Sequence, residues 1–226
     1  PITIRLSNNK LIILVVLVAG FLRFWRLGEV PVGFHRDEAF LGYNAYSILK
    51  TGRDMSGHLF QLHLESFLYS PAGYSYSAIP FIAFFGLNET AVRMPSALFG
   101  TASVVVLFFL VRFLFKRDLH ALLASLVFAL SPWHINLSRV ATEHVVAIFF
   151  YLLGTLIFLR SIEKRNSKLL MFSFLSFFVT LFLYQAARSF VPILLPVLFV
   201  LYRKSLNTRI VFIGYVLSIL LPILLV

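Results

Sequence analysis

The chain has 226 residues, is 60% hydrophobic with 26 Phe and only 13% charged residues, and its mean hydropathy of +0.91 excludes an ordinary soluble globule. Its formal charge of +11 would suggest nucleic acid in a soluble protein. Repeated apolar runs give a polytopic helical membrane protein instead, whose basic residues collect in cytoplasmic loops, so no nucleic-acid partner is implied. Zero cysteines excludes disulfides and thiolate ligands or nucleophiles.

In chain order, a first span is predicted at about 11–27, preceded by Arg5 and Lys10 and closed by Trp25, an interface-favouring ring. It has no small-residue cleavage site and is followed by Arg23 and Arg26, so it reads as retained rather than as a signal peptide. A long polar-aromatic loop, 28–89, follows. It carries six of the nine acids. Within it, 37–50 reads as a surface helix with Asp37 at its start, where a carboxylate is favoured, and Gly52 as its stop. The apolar stretch 72–85, rich in Tyr, Ser and Phe and holding Pro80, is short for a span and reads as a second surface helix.

Further spans are expected at about 91–115, 119–130, 145–159, 169–184, 191–202 and 210–226. The one at 119–130 is short and runs into Pro132, which marks it as tilted or broken. Charge bias supports this arrangement. With 72–85 at the surface, twelve of the twenty basic residues share one face with only Asp118 and Glu163; made a span, it would turn all three later basic loops outward. The chain opens on Pro1 and stops at Val226 inside an apolar run, and is expected to be the N-terminal part of something longer.

The chemistry gathers on the other face. Asp37-Glu38 needs water in so apolar a chain, and adjacent helical side chains diverge by about 100°, so one of the two is expected to point into a cavity as a general base. The alternative is a helix-start carboxylate with a solvated neighbour. Arg93, Arg139 and Arg188 fall on the same face, where they either snorkel to lipid phosphates or hold an anionic substrate in guanidinium forks. Arg139 and Glu143 are also spaced for a local i, i+4 ion pair. His144 and His35 could join Glu143 or Asp37 on a metal, yet no His-x-x-x-His spacing exists; no metal site and no cofactor are assigned, and a divalent ion stays open. There is no Gly-rich phosphate loop, Gly-x-Ser-x-Gly elbow or Asp-x-Asp pair, so a nucleotide-sugar site has no support. Tyr43, Tyr74 and Tyr76 are either a sugar-stacking wall or belt aromatics.

Four blocks occur in a familiar order: Arg36-Asp37-Glu38-Ala39-Phe40-Leu41-Gly42-Tyr43-Asn44-Ala45; Arg93-Met94-Pro95-Ser96-Ala97-Leu98-Phe99-Gly100; Leu130-Ser131-Pro132-Trp133-His134 with Ser138-Arg139; and Tyr184, Ala187-Arg188 and Val191-Pro192. On these the chain resembles the polyprenyl-phosphate-sugar glycosyltransferases of the protein O-mannosyltransferase and aminoarabinose-transferase type. The resemblance implies an all-α membrane bundle of the C-type fold, with a long first extracytoplasmic loop carrying surface helices. It implies Asp37 as catalytic base with Glu38 beside it, and Arg93 at the position that helps hold the lipid phosphate. Arg139, Tyr184 and Arg188 lie in these blocks and, with Glu143 and His144 just after Arg139, are expected to bind substrate. The implied partners are a polyprenyl-phosphate-linked sugar, an acceptor protein, lipid or glycan, and membrane lipids. Many relatives carry Lys or His before the proline that opens the second surface helix, where this chain has Tyr69-Ser70-Pro71-Ala72.

Two other classes compete. A transporter or flippase for such lipids should place ionisable residues at mid-membrane, whereas here they crowd the boundaries. A non-catalytic membrane subunit would make the Asp-Glu pair incidental.

Overall fold

In a computed structural model the described residues are 8–65, 70–202, 214 and 216. The span expected at 210–226 and the basic residues Arg5, Arg203, Lys204 and Arg209 fall outside that description.

The protein is an all-α membrane bundle with one small hairpin. Its helices are α1 (Asn8–Phe24), α2 (Arg36–Thr51), α3 (Gly73–Phe85), α4 (Glu89–Phe115), α5 (Asp118–Leu130), α6 (Pro132–Ser138), α7 (Glu143–Glu163), α8 (Ser167–Leu183) and α9 (Ala187–Tyr202). Between α2 and α3, β1 (His63–Leu64) pairs antiparallel with β2 (Ser70–Pro71), setting His63 opposite Pro71. No sequence pattern points to this hairpin, because two-residue strands carry no alternation to read.

Helices α4 and α7 are each long and apolar enough to cross a membrane, and α5 with α6 would make a third span bent by 60°. The bend has a local cause. Pro132 lacks an N–H and clashes with a helical predecessor, and Ser131 is extended at ψ 117°. Large apolar side chains face outward on the apolar helices, as Leu17 on α1, Val127 on α5 and Val200 on α9 do, which suits lipid rather than water.

Helix α4 is the central post, touching α1, α3, α5 and α7, while α8 packs along α7. Asn88 caps its start by accepting from the Ala91 N–H at 2.9 Å. Small residues let helices close up. A Cβ on Gly154 would meet Phe177 and Ser176 at 3.2 Å, and Ser173 Oγ donates to the Gly154 carbonyl at 2.8 Å. Gly100 is tighter still: a Cβ there would lie 2.8 Å from the Ser138 Cβ, so α6 is set directly against α4.

Helices α2 and α3 lie together on the early turns of α4. Ser75 Oγ donates to the Leu41 carbonyl at 2.9 Å. The Tyr74 hydroxyl, fully buried, donates to the Val92 carbonyl at 2.9 Å and meets Ser96 Oγ at 3.0 Å. Ser96 Oγ in turn accepts from the Thr142 N–H at 3.1 Å, tying the start of α7 into the same knot.

Candidate active site

Helix α2 starts in an unusual way. His35 is its N-cap, its Nδ1 accepting from the Asp37 N–H at 3.3 Å, while Glu38 Oε2 accepts from the His35 N–H at 3.1 Å. This is the reciprocal logic of a capping box with a ring nitrogen in the hydroxyl's place. The box turns the two acids apart. Glu38 goes inward and is 3% exposed; the Asp37 side chain stays 70% exposed, its Oδ2 3.4 Å from His35 Nδ1.

Glu38 meets Arg93 in a two-pronged pair, Nε to Oε1 at 2.8 Å and Nη2 to Oε2 at 2.9 Å. Oε1 also accepts from the Ala141 N–H at 2.8 Å. Burial alone would raise the Glu38 carboxyl. The hydrogen bonds from Arg93, Ala141 and His35, with the Arg93 charge, outweigh it and hold the group below its ordinary value. The folded protein therefore keeps Glu38 ionised where the unfolded chain would take up a proton. Its stabilisation is complete above the ordinary value of 4.5 and fades as pH falls through the lowered one. Melting curves between pH 7 and pH 3 should fall more steeply for the native protein than for Glu38→Gln; equal slopes would exclude this coupling.

Arg93 completes its fork on carbonyls, Nη1 donating to Leu27 at 3.1 Å and Pro31 at 3.2 Å, and Nη2 to Gly33 at 2.7 Å. Arg139 does the same for the other half of that loop. Its Nη1 donates to Leu22 at 2.7 Å, and its Nη2 to Trp25 at 2.7 Å and Val30 at 2.9 Å. Both guanidinium groups are turned toward the chain's own carbonyls. They gather the end of α1 and the α1–α2 connection, Arg93 dividing its donors between that connection and Glu38. Arg139 forms no ion pair with Glu143 among the described residues.

A cavity of about 630 Å³ opens beside Asp37 and Glu38, walled by Arg36, Glu143, His144, Tyr184 and Gln185 with Ser70 and Pro71 from the hairpin. The His144 and Tyr184 rings meet tilted at 51° with centroids 4.5 Å apart, and His144 Nδ1 is buried without a hydrogen-bond partner among the described residues. Of the expected site residues, Asp37, Glu38, Glu143, His144 and Tyr184 thus come together on one cavity; Arg93, Arg139 and Arg188 do not line it. Arg36 and Gln185, to which the sequence gives no role of their own, also line it. Adjacency to Asp37 and to Tyr184 was the available signal.

Arg188 lies just behind the wall, one turn past Gln185. Its Nη2 contacts Nε2 of His63, and its Nε is buried without a partner among the described residues. Burial, and then the Arg188 charge, lowers the His63 imidazole, which favours the neutral ring that can accept from a guanidinium. Tyr74 and Tyr76 serve packing, with the Tyr76 hydroxyl donating to the Gln61 carbonyl at 3.1 Å and its ring against Phe182; Tyr43 is exposed. Among the described residues no three His, Cys, Asp or Glu side chains come together as metal ligands.

The signature of the dolichyl-phosphate-mannose-protein mannosyltransferase family matches residues 70–226. That range holds Arg93, Arg139, Glu143, His144, Tyr184 and Arg188, and begins after Asp37 and Glu38. No curated protein matches the chain. With apolar helices able to cross a bilayer and a family signature over more than half its length, the chain belongs to the dolichyl-phosphate-mannose-protein mannosyltransferase family of membrane glycosyltransferases.

Proposed function

We propose that this protein moves a sugar from a polyprenyl-phosphate carrier to an acceptor hydroxyl at the extracytoplasmic face, with inversion, and that Asp37 is the general base. The observation that carries this reading is the division of labour between adjacent acids. Glu38 is held by hydrogen bonds from His35, Arg93 and Ala141, whereas the Asp37 side chain stays 70% exposed at the cavity, its Oδ2 3.4 Å from His35 Nδ1. In the displacement, Asp37 takes the proton of the acceptor hydroxyl as its oxygen bonds to the anomeric carbon. The bond from that carbon to the phosphate oxygen breaks, and the polyprenyl phosphate departs with the electron pair.

A departing phosphate needs cations. Arg36 lines the cavity, and Arg188, three residues past the wall residue Gln185, has a histidine beside it and, among the described residues, no acid and no partner for its Nε. Both are assigned to the phosphate, while Glu143, His144 and Tyr184 are assigned to sugar and acceptor. Arg93 and Arg139 support the site through the loop they hold. The orientation rests on charge: the cavity sits at the starts of α2 and α7, and the basic cluster at the far ends of α7 and α4 marks the cytoplasmic side in this reading.

The test is transfer in membranes or nanodiscs from defined donors. Polyprenyl-phosphate mannose should support transfer and a nucleotide-linked mannose should not. Arg188→Gln should raise KM for the lipid donor by about 10-fold or more, the worth of one charge-assisted hydrogen bond, with a smaller change in kcat. Transfer from the nucleotide sugar, or an unmoved KM, would overturn the donor assignment.

A further inference from the structure

A second cavity, of about 720 Å³, lies at the opposite end of the bundle, between the last turns of α4 and α7 and the start of α5. We propose that it binds the phosphate-bearing headgroup of an anionic phospholipid.

Four cations surround it: Arg112, Lys116, Arg160 and Lys164. Two acids answer them, with Arg112 Nε 2.7 Å from Asp118 Oδ1 and Lys116 Nζ 3.6 Å from Glu163 Oε1. Four cations against two carboxylates leave an excess of two positive charges. Arg160 and Lys164 have no carboxylate within ion-pair distance among the described residues.

The floor is aromatic. The Arg160 guanidinium sits 5.7 Å from the Phe109 ring centre and the Lys116 ammonium 4.0 Å from that of Phe113. Cations at a rim over an apolar floor suit a ligand that is charged at one end and greasy at the other. A soluble anion would gain nothing from the floor. Depth points the same way. Helix α4 has 27 residues, so its ends are separated by about 40 Å, the thickness of a bilayer with its headgroups. The acid-lined cavity is at one end of that post and this basic one at the other, at headgroup level.

The experiment is native mass spectrometry of the full chain in detergent, titrated with phosphatidylglycerol or phosphatidylcholine. The variants are Arg160→Gln with Lys164→Gln, and as control Arg165→Gln with Lys168→Gln, exposed basic residues outside the cavity. Phosphatidylglycerol should be retained over phosphatidylcholine. The cavity pair should weaken it about 30-fold, ~2 kcal/mol at ~1 kcal/mol per surface cation, and the control should leave it unchanged. Equal retention of both lipids, or equal loss in both variants, would overturn the proposal. So would displacement of the lipid by millimolar inorganic phosphate, which would mark a site for free anions. Thermal melting of each variant separates lost binding from lost fold, since these exposed side chains should leave the melting point in place.

Discussion

Asp37→Asn should lower sugar transfer by about 10²–10⁴-fold while leaving the protein folded and inserted. The amide keeps the shape of the carboxyl but cannot accept the acceptor's proton. Little structure depends on the charge, because the side chain is 70% exposed, with its Oδ2 3.4 Å from His35 Nδ1. The loss should fall on kcat rather than on donor affinity, since Asp37 is assigned to the proton and not to the phosphate. Transfer assayed at matched protein levels, with a melting curve on the same preparation, separates the two effects. Near-native turnover by a correctly inserted variant would remove Asp37 from the mechanism.

The sequence revealed the bundle for a plain reason: lipid demands long apolar runs, and proline and charge punctuate them where helices bend or end. Pro132 marked the break between α5 and α6, and Asp37-Glu38 stood out because acids are scarce. What the arginines touch was not legible. Arg139 reaches carbonyls more than a hundred residues away, and every residue offers a carbonyl, so no sequence feature names the acceptor. An arginine that snorkels, one that binds substrate and one that binds its own loop leave the same trace in sequence. The His35 cap escaped notice because Ser, Thr, Asp and Asn are the expected N-caps. The split between two adjacent acids could be anticipated from the 100° helical step, but which one turns inward depended on Arg93, 55 residues on.

That dependence sets the second large effect. Arg93→Met should destabilise the protein by about 3–5 kcal/mol, because it strands the buried Glu38 charge. Glu38→Leu should cost a similar amount by stranding the guanidinium. The double variant should recover part of the loss, since an apolar pair removes both uncompensated charges. Recovery of stability need not restore transfer. The carbonyls of Leu27, Pro31 and Gly33 would still lack their donor, and the stretch they belong to leads directly into His35 and Asp37. Arg93→Lys is the sharper variant. It keeps the charge beside Glu38, but a single ammonium cannot span a carboxylate and three carbonyls as a planar fork does. It should therefore retain more stability than Arg93→Met and yet lose transfer. If Arg93→Lys were fully active, the arginine would be serving Glu38 alone, and the loop would hold Asp37 in place without it.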